Sequence, residues 1–375
     1  MRQIHQSLSS GRRRLLGAVG AAALACAAMV VGAHADDAKT MVGSIDVTSW
    51  LPQYPDSTKM VDTTKFKKEP PFVIGYSDAS LSNSWRIMAK ASVEWGIDEA
   101  NGKAKLVYTN ANDNASKQIA DIEDLLTQKV DAIILAATDV NALCPSIAKA
   151  EAQGVPVIVL ERMVNCPGFT QFIDARNSEN GVLQAAYVAD KLGGEGNVVV
   201  IGGIQGSGAT VESVNAINKV FSHYPKIKVI ATEYAEYQPA KCKQLMSALL
   251  TRFPKIDAVI SISGNQGVGC FDAIKAAGRL GEIKAWTGDD ANGWMKIVER
   301  EKIPSIITPI PTYSGMYAVQ QAIKILSGAA APKDFLVPKP QITADNIDQY
   351  AKLDRPDEWW YPAGLPCKFD PYCKK

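Results

Sequence analysis

The side chains that could bind a ligand stand directly after short apolar, β-branched runs in the sequence. Aromatic residues, carboxylates, amides and arginines occupy these places: Trp85, Arg86, Glu161, Arg162, Tyr234, Tyr237, Asn265, Gln266, Asp289 and Asp290. Carboxylates, amides and guanidinium groups can satisfy hydroxyls, while the C–H face of a ring stacks on an indole or a phenol. The pattern therefore predicts a binding site for a small polyhydroxylated molecule, a sugar or a polyol.

Catalytic and metal chemistry has little support in the sequence. His223 is the one histidine after residue 35, which excludes a zinc site built on several histidines and leaves one imidazole for any Ser-His-Asp triad. The glycine-rich segment 202–208 lacks the Lys-Ser/Thr ending of a phosphate loop, and segment 264–269 has the wrong glycine order for a dinucleotide fingerprint. We therefore predict a binding protein without cofactor or metal, not an enzyme.

An alternating pattern of strands and helices positions the candidate residues. Apolar runs predict strands at 71–76, 104–109, 131–135, 156–160, 170–174, 197–202, 228–234, 257–263, 283–288 and 304–310. Amphipathic stretches predict helices at 84–101, 115–128, 141–153, 177–193, 208–222, 238–252, 266–277, 290–301 and 313–327. Fully apolar strands form parallel sheets covered on both faces, and ligands bind beyond the carboxyl ends of such strands. Ten strands fit two five-stranded sheets better than one.

An internal repeat supports a division into two similar halves. Lys-Val-Asp-Ala-Ile-Ile at 129–134 recurs as Lys-Ile-Asp-Ala-Val-Ile at 255–260, 126 residues later. Fifteen residues after each lysine stands a cysteine, Cys144 or Cys270, followed by a predicted helix that ends close to a glycine. The match in sequence and in spacing indicates duplication. The chain is therefore predicted to be α/β, with two similar doubly wound parallel-sheet lobes.

The first 35 residues have the composition of a secretory signal peptide. They carry four arginines and no acidic residue; Arg12–Arg14 precede an apolar run from Leu15 to Val31, and Ala-His-Ala ends at Ala35. We predict export from the cytoplasm with cleavage after Ala35, by the general secretory or the twin-arginine route. The remaining 340 residues carry 36 basic and 39 acidic residues, a net charge of −3, so no surface for nucleic acid is predicted.

From Phe72 to Gly328 the sequence resembles the periplasmic sugar-binding proteins of ABC importers, the ribose/galactose-binding type. The likeness is carried by I-G-Y-S…N-S-W-R at 74–86, P-V-I-V-L-E-R at 156–162 and T-G-D-D-A-N-G-W at 287–294. The first segment is similar to the galactofuranose-binding branch, where an aromatic-arginine pair has the same place. The resemblance implies sugar contacts by Asn83, Trp85, Arg86, Glu161, Arg162, Tyr237 and Asp289. The position of Asn265 after a strand adds it to this predicted site.

Three departures from the family pattern bear on the ligand. Glu161 stands where members often carry aspartate, an arginine typical of the family is replaced near Val211, and Ala136 replaces a polar residue after the third strand. Fewer polar groups at these places predict a ligand other than ribose, and one smaller or less polar than a hexose.

The resemblance also implies a type I periplasmic binding fold, whose two lobes are joined by a hinge. The chain is expected to cross between the lobes near 174–177, 309–311 and 336–338. The predicted units are then a signal peptide at 1–35, an N-terminal arm at 36–69, a first lobe at 70–174 and 310–335, a second lobe at 175–309 and 336–360, and a tail at 361–375. Such a protein is a periplasmic monomer that closes on its ligand and delivers it to permease subunits. A sensor for a membrane signalling receptor and a secreted glycoside hydrolase stay open as alternatives.

Six cysteines follow the signal peptide, and an even number in an exported chain indicates disulfides. The predicted pairs are Cys144–Cys166, Cys242–Cys270 and Cys367–Cys373. The first pair follows neighbouring strands of a 2-1-3-4-5 sheet, the second opens two consecutive helices on one face, and the third is six residues apart in a proline-rich tail.

The predicted arm and the terminal segment 355–375 contain three of the seven tryptophans: Trp50, Trp359 and Trp360. Indole side chains are mostly buried in folded proteins. We therefore expect both segments to pack on the lobes, away from the ligand cleft.

Overall fold

The computed structural model describes residues 42–343, 345–361 and 364–373. The predicted signal peptide and its cleavage point after Ala35 lie outside the described residues. Within the part of the chain that the structure describes, no helix is both long and apolar enough to cross a membrane.

Strands and helices alternate along the chain. The strands are β1 (Met60–Val61), β2 (Phe72–Asp78), β3 (Ala104–Asn110), β4 (Ala132–Leu135), β5 (Val157–Leu160), β6 (Gln171–Asp174), β7 (Glu195–Gly202), β8 (Lys226–Tyr234), β9 (Ala258–Ser261), β10 (Ala285–Gly288), β11 (Ser305–Ile307), β12 (Ala331–Pro332) and β13 (Asp334–Leu336). The α-helices are α1 (Ser84–Glu99), α2 (Ala115–Thr127), α3 (Cys144–Ala152), α4 (Asn177–Leu192), α5 (Gly208–Phe221), α6 (Pro239–Arg252), α7 (Gly264–Ala276), α8 (Asn292–Glu301), α9 (Ser314–Leu326) and α10 (Ile347–Tyr350). Every strand and helix predicted from the sequence has a counterpart within a few residues of its predicted bounds.

The larger strands form two parallel sheets. One sheet has the order β13-β6-β5-β4-β2-β3 and the other β11-β10-β9-β7-β8. Both contain the 2-1-3-4-5 order of a doubly wound fold, so the predicted α/β class with two similar lobes is confirmed. The first sheet has six strands instead of the predicted five, because the three residues of β13 join its edge beside β6. A strand of three partly buried residues is too short to show the alternation of apolar and polar residues by which strands are predicted.

Helices cover both faces of each sheet, which explains why the central strands are apolar throughout. All residues of β4, β5, β9 and β10 are buried. In the first lobe α1 and α9 pack on one face and α2 and α3 on the other. In the second lobe α4 and α5 cover one face, and α6, α7 and α8 cover the other. Burying each large aliphatic side chain contributes roughly 1.5–3 kcal/mol.

The chain passes between the two sheets at three places: between β6 and α4, between β11 and α9, and after β13. Two of these segments are tied together. The guanidinium of Arg176 donates to the carbonyl of Val337 at 3.2 Å, and the ammonium of Lys339 donates to the side chain of Asn180 at 2.6 Å. These bonds make the first and third crossovers one connected hinge region.

The described part of the N-terminal arm packs on the second lobe and, through β1, pairs with β12. Val42 and Val47 are fully buried in the cluster that contains α4 and α5. The indole of Trp50 stacks on the imidazole of His223 with 5.2 Å between ring centroids. These contacts bury the apolar side chains that the sequence predicted to be covered.

The six cysteines of the described chain are joined in three pairs: Cys144–Cys166, Cys242–Cys270 and Cys367–Cys373. Their Cα atoms lie 5.7, 5.1 and 5.3 Å apart, distances that natural disulfides commonly have. The first pair fastens α3 to the segment after β5, and the second fastens α6 to α7.

Removal of the bond between α6 and α7 tests this pairing. Replacing Cys242 and Cys270 together by alanine is expected to lower the free energy of unfolding by about 2–4 kcal/mol, because the bond restricts the unfolded chain. Urea denaturation measures the loss. Mass mapping of non-reduced peptides provides the control, and a peptide that joins Cys144 to Cys270 would contradict the pairing.

Candidate ligand-binding site

A partly open cavity lies between the two lobes, beyond the carboxyl ends of their strands, with about 490 Å³ of empty space when its solvent-filled mouth is included. The structure brings all eight predicted site residues to its walls: Asn83, Trp85, Arg86, Glu161, Arg162, Tyr237, Asn265 and Asp289. The other lining residues are Asn177, Ala209, Ser213, Ile262, Ser263, Ile310 and Trp360. Both lobes therefore contribute charged and aromatic side chains to one cavity.

The lobes touch each other beside the cavity. The side chain of Gln238 in the second lobe donates to the carbonyl of Ser82 in the first at 2.7 Å. Gly208, the first residue of α5, lies so close to Met163 that a Cβ there would collide with the backbone of Met163. The structure is therefore the closed arrangement of the two lobes.

The first turn of α1 fixes one wall. The side-chain oxygen of Asn83 accepts the backbone N–H of Arg86 at 3.0 Å, which caps the helix. The indole of Trp85 donates to the carbonyl of Ile310 at 2.8 Å, and the guanidinium of Arg86 lies 4.8 Å from the centroid of the indole. These contacts hold the indole as a rigid apolar wall.

Four charged side chains are buried together on the first-lobe side. Arg86 donates to Oε2 of Glu161 at 2.6 Å, and Nε of Arg162 lies 3.8 Å from the same oxygen. A carboxylate oxygen of Asp78 lies 4.0 Å from Arg86. Burial raises the pKa of Asp78 to about 6 although both arginines oppose the rise. Asp78 is therefore ionised at neutral pH, and two carboxylates balance two guanidinium groups.

Two nitrogens of this cluster have ion-pair contacts but no hydrogen bond. Among the described side chains, Nη1 of Arg86 and Nε of Arg162 are buried without a hydrogen-bond partner, although they lie 4.0 Å from Asp78 and 3.8 Å from Glu161. A buried donor without a hydrogen bond costs roughly 1–3 kcal/mol, and more when it is charged. The charges of the cluster are therefore balanced, but not every donor in it makes a hydrogen bond.

Glu161 and Tyr237 both have left-handed backbone conformations, with φ of +63° and +59°. Each costs about 1–2 kcal/mol for a residue with a Cβ. The carbonyl of Glu161 accepts the side chain of Asn177 at 3.0 Å. The carbonyl of Tyr237 accepts Asn265 at 2.9 Å, and its N–H donates to Gln266 at 3.0 Å. Hydrogen bonds on the neighbouring peptides thus stabilise the strained turns that place these side chains at the cavity.

The Tyr237 ring forms a second aromatic wall, from the second lobe. It packs on Gly203, where a Cβ would overlap the ring. Its hydroxyl lies 3.1 Å from the hydroxyl of Thr210. Both contacts hold the hydroxyl end of the ring.

Asp289 lies at the carboxyl end of β10 and is almost fully buried. Its Oδ1 accepts the backbone N–H of Gly264 at 2.7 Å. Burial, together with the charge of Asp290, raises the pKa of Asp289 to about 8. The side chain is therefore mainly protonated at neutral pH, so it can donate a hydrogen bond as well as accept one.

Comparison with known proteins gives the family. The model of the periplasmic binding protein domain matches residues 74–330. The chain belongs to this family. The ribose import binding protein of Bacillus subtilis strain 168 is 29% identical over 273 residues, which cover 72% of this chain and 87% of that protein. The xylitol-binding protein of Mycolicibacterium smegmatis is 28% identical over 246 residues, covering 65% and 70%.

A solved structure of a similar protein also supports membership of this family. The ABC transporter solute-binding protein from Thermobispora bispora is 27% identical, with a TM-score of 0.69, and the match covers 77% of this chain and 90% of that chain. The family resemblance in the sequence is thus confirmed. Its relatives bind solutes and do not catalyse reactions, so the protein is a binding protein and not an enzyme.

Some lining residues of this periplasmic binding protein were missed by sequence reasoning. Asn177 directly follows β6 and Ser263 follows β9, so the strand-end rule could have found both. Ala209 and Ser213 are one helical turn apart on α5, a spacing without a polar signal. The strand-end rule also selected three residues that do not line the cavity: Tyr234, Gln266 and Asp290.

The expectation that the terminal segment packs away from the cleft is wrong for Trp360. Its indole lines the cavity because the backbone of Trp360 pairs antiparallel with Ala291, just after β10. No described residue of the N-terminal arm lines the cavity, so the expectation for the described part of the arm is confirmed.

The protonation of Asp289 predicts a specific pH dependence of stability. The folded pKa is about 8 and the ordinary value is 3.8, so the neutral form favours folding below about pH 4 and this contribution is lost as the pH rises to about 8. Asp289→Asn keeps a neutral side chain at every pH. Its free energy of unfolding relative to wild type should rise by about 1.4 kcal/mol per pH unit across this window. Urea titrations at several pH values measure the difference.

The matched control is Asp272→Asn, which removes one carboxylate at an exposed position of α7 outside the cavity. Its free energy of unfolding should change with pH in the same way as that of wild type. If Asp289→Asn also runs parallel, Asp289 is ionised throughout the window and the predicted burial effect is absent.

Proposed function

We propose that this periplasmic binding protein captures a small sugar or polyol between its lobes and delivers it to the permease subunits of an ABC importer. The observation that carries the proposal is one cavity between the lobes that combines two fixed aromatic walls, Trp85 and Tyr237, with buried charged groups. Aromatic faces suit the C–H face of a sugar ring, and charged groups suit its hydroxyls.

The polar groups match the dual character of a hydroxyl. The guanidinium groups of Arg86 and Arg162, which line the cavity, can donate, and the carboxylate of Glu161 can accept. Protonated Asp289 supplies a donor from the second lobe. A neutral polyhydroxylated ligand can use all of these groups at once, without adding net charge to the closed cavity.

The names of two relatives support the ligand class, since one is a ribose import binding protein and the other a xylitol-binding protein. The walls favour a ligand other than ribose. Where the family pattern has an arginine near Val211, α5 presents Ala209 and Ser213 to the cavity, and Ala136 is buried in the first-lobe core. A ring less polar than a hexose fits these substitutions, because they remove polar side chains.

Ligand contacts to both lobes provide the driving force for closure. A ligand shifts an equilibrium between open and closed forms only by its difference in affinity for the two forms. Trp85 and Glu161 belong to the first lobe, whereas Tyr237 and Asp289 belong to the second, so their contacts to one ligand exist together only when the lobes are closed. The closed monomer is the form that docks on the permease, after export and cleavage behind Ala35.

Binding by variants of the cavity tests the proposal. Calorimetry with a panel of pentoses, hexoses, furanose sugars, polyols and cyclitols first identifies the best ligand of the wild type. Asp289→Ala should then weaken binding about tenfold, because a ligand hydroxyl left without its partner in the closed cavity costs roughly 1–3 kcal/mol. Trp85→Ala should weaken it similarly through lost stacking.

His223→Ala provides the control, because this exposed side chain stacks on Trp50 and does not line the cavity. It should bind like wild type. Unchanged affinity in both Trp85→Ala and Asp289→Ala would show that the ligand binds elsewhere. Turnover of a glycoside would contradict the proposed receptor and support a hydrolase.

A further inference from the structure

The segment formed by residues 345–361 and 364–373, here called the strap, packs on the second lobe, and the buried side chain of Asn292 makes four of the hydrogen bonds between them. The Asn292 side-chain nitrogen donates to the carbonyls of Lys352, Arg355 and Pro356 at 2.9–3.3 Å. Its oxygen accepts the backbone N–H of Lys352 at 2.8 Å. The backbone N–H of Asn292 donates to Trp359, which places the strap beside the first turn of α8.

The same strap also reaches the first lobe. The indole of Trp360 donates to the hydroxyl of Ser84, the first residue of α1, at 2.9 Å. Further along, the ammonium of Lys368 donates to Asp98 near the end of α1 at 2.7 Å. The family model ends at residue 330, so the strap lies outside the matched part of the chain.

The strap is internally braced. The indole of Trp359 donates to Asp370 at 3.3 Å, the guanidinium of Arg355 donates to the carbonyl of Tyr372 at 3.1 Å, and Cys367 is bonded to Cys373. Trp359 and Trp360 are both buried, but only Trp360 of these two lines the cavity. The indole of Trp359 is thus buried within the strap, whereas that of Trp360 lies at the cavity.

We propose that the strap is a clasp for the closed form and that the bond between Trp360 and Ser84 is its contact with the first lobe. Trp360 adds a third aromatic wall to those of Trp85 and Tyr237, and its bond to Ser84 joins the strap on the second lobe to the helix that carries Trp85. The proposal rests on the proposed function only for the identity of the ligand. The clasp itself is a property of this chain's own contacts.

The clasp acts because it links groups from different lobes. Opening of the cleft separates Ser84 from Trp360, whereas the bonds of the strap to Asn292 lie within the second lobe and persist. The bond to Ser84 therefore stabilises the closed form relative to the open form. It slows ligand release without needing any additional contact to the ligand.

Two conservative variants test the clasp. Ser84→Ala removes the acceptor and Trp360→Phe removes the donor while keeping an aromatic wall. Each should raise the dissociation rate of the best-binding sugar or polyol by about threefold to tenfold, the effect of one hydrogen bond. The double variant should resemble the single ones, because both substitutions remove the same interaction. Stopped-flow tryptophan fluorescence with D-ribose, xylitol and the best ligand of the panel measures these rates.

Trp359→Phe is the matched control, since it removes the indole bond to Asp370 inside the strap and leaves the cavity wall in place. It should lower the melting temperature but leave the dissociation rate unchanged. A second readout needs no ligand. The indole N–H of Trp360, assigned by its loss in Trp360→Phe, should exchange with deuterated water faster in Ser84→Ala than in wild type.

Unchanged indole exchange in Ser84→Ala overturns the clasp, and so does faster exchange with an unchanged dissociation rate. If the wild type binds no sugar or polyol, the proposed function fails, while the indole exchange still decides whether the contact between the lobes exists. If Trp359→Phe accelerates release as strongly as Trp360→Phe, the strap affects binding through its stability alone, which also contradicts the proposal.

Discussion

The geometry of parallel sheets is the constraint on which this protein depends. Parallel strands need a crossover after each strand, so their carboxyl ends all open at one edge of the sheet. Each lobe therefore presents its strand-end turns along one edge, and the hinge turns the two edges toward each other. Side chains far apart in sequence, such as Trp85 and Asp289, reach the same cavity because each follows a strand.

The cavity is organised by the energetics of buried charge. Arg86 and Arg162 would be costly to bury alone, and Glu161 with Asp78 compensates them within hydrogen-bonding or near-contact distances. In the second lobe the buried carboxyl of Asp289 is not paired with a cation among the described residues; burial keeps it mainly protonated and therefore neutral. One wall is thus an ion-pair network and the other a neutral donor, which is the basis for the proposed preference for hydroxyl groups over charged ligands.

Rigidity of the walls and mobility of the lobes come from different parts of the structure. Capping by Asn83, the strained turns at Glu161 and Tyr237, and the disulfides fix side chains within each lobe. The three crossovers connect the lobes through the covalent chain, and the strap reaches the first lobe through the side chains of Trp360 and Lys368. The groups that fix the walls therefore differ from those that link the lobes.

The sequence alone determined the elements, the two lobes and the edge at which the cavity forms, because these follow from local periodicity, a repeat and the strand-end rule. Seven of the eight predicted site residues came from the family resemblance and Asn265 from its place after a strand; all eight line the cavity, and their contacts with a ligand stay a prediction. Only the tertiary structure decided the short edge strand β13, the protonation of Asp289 and the place of Trp360. A strand of three residues at a sheet edge is too short to show a pattern in the sequence. The desolvation of one carboxyl depends on residues from other parts of the chain and shows no sequence pattern either. Trp360 reaches the cavity through the pairing of its backbone with Ala291, 69 residues earlier, and no local pattern encodes a contact over that distance.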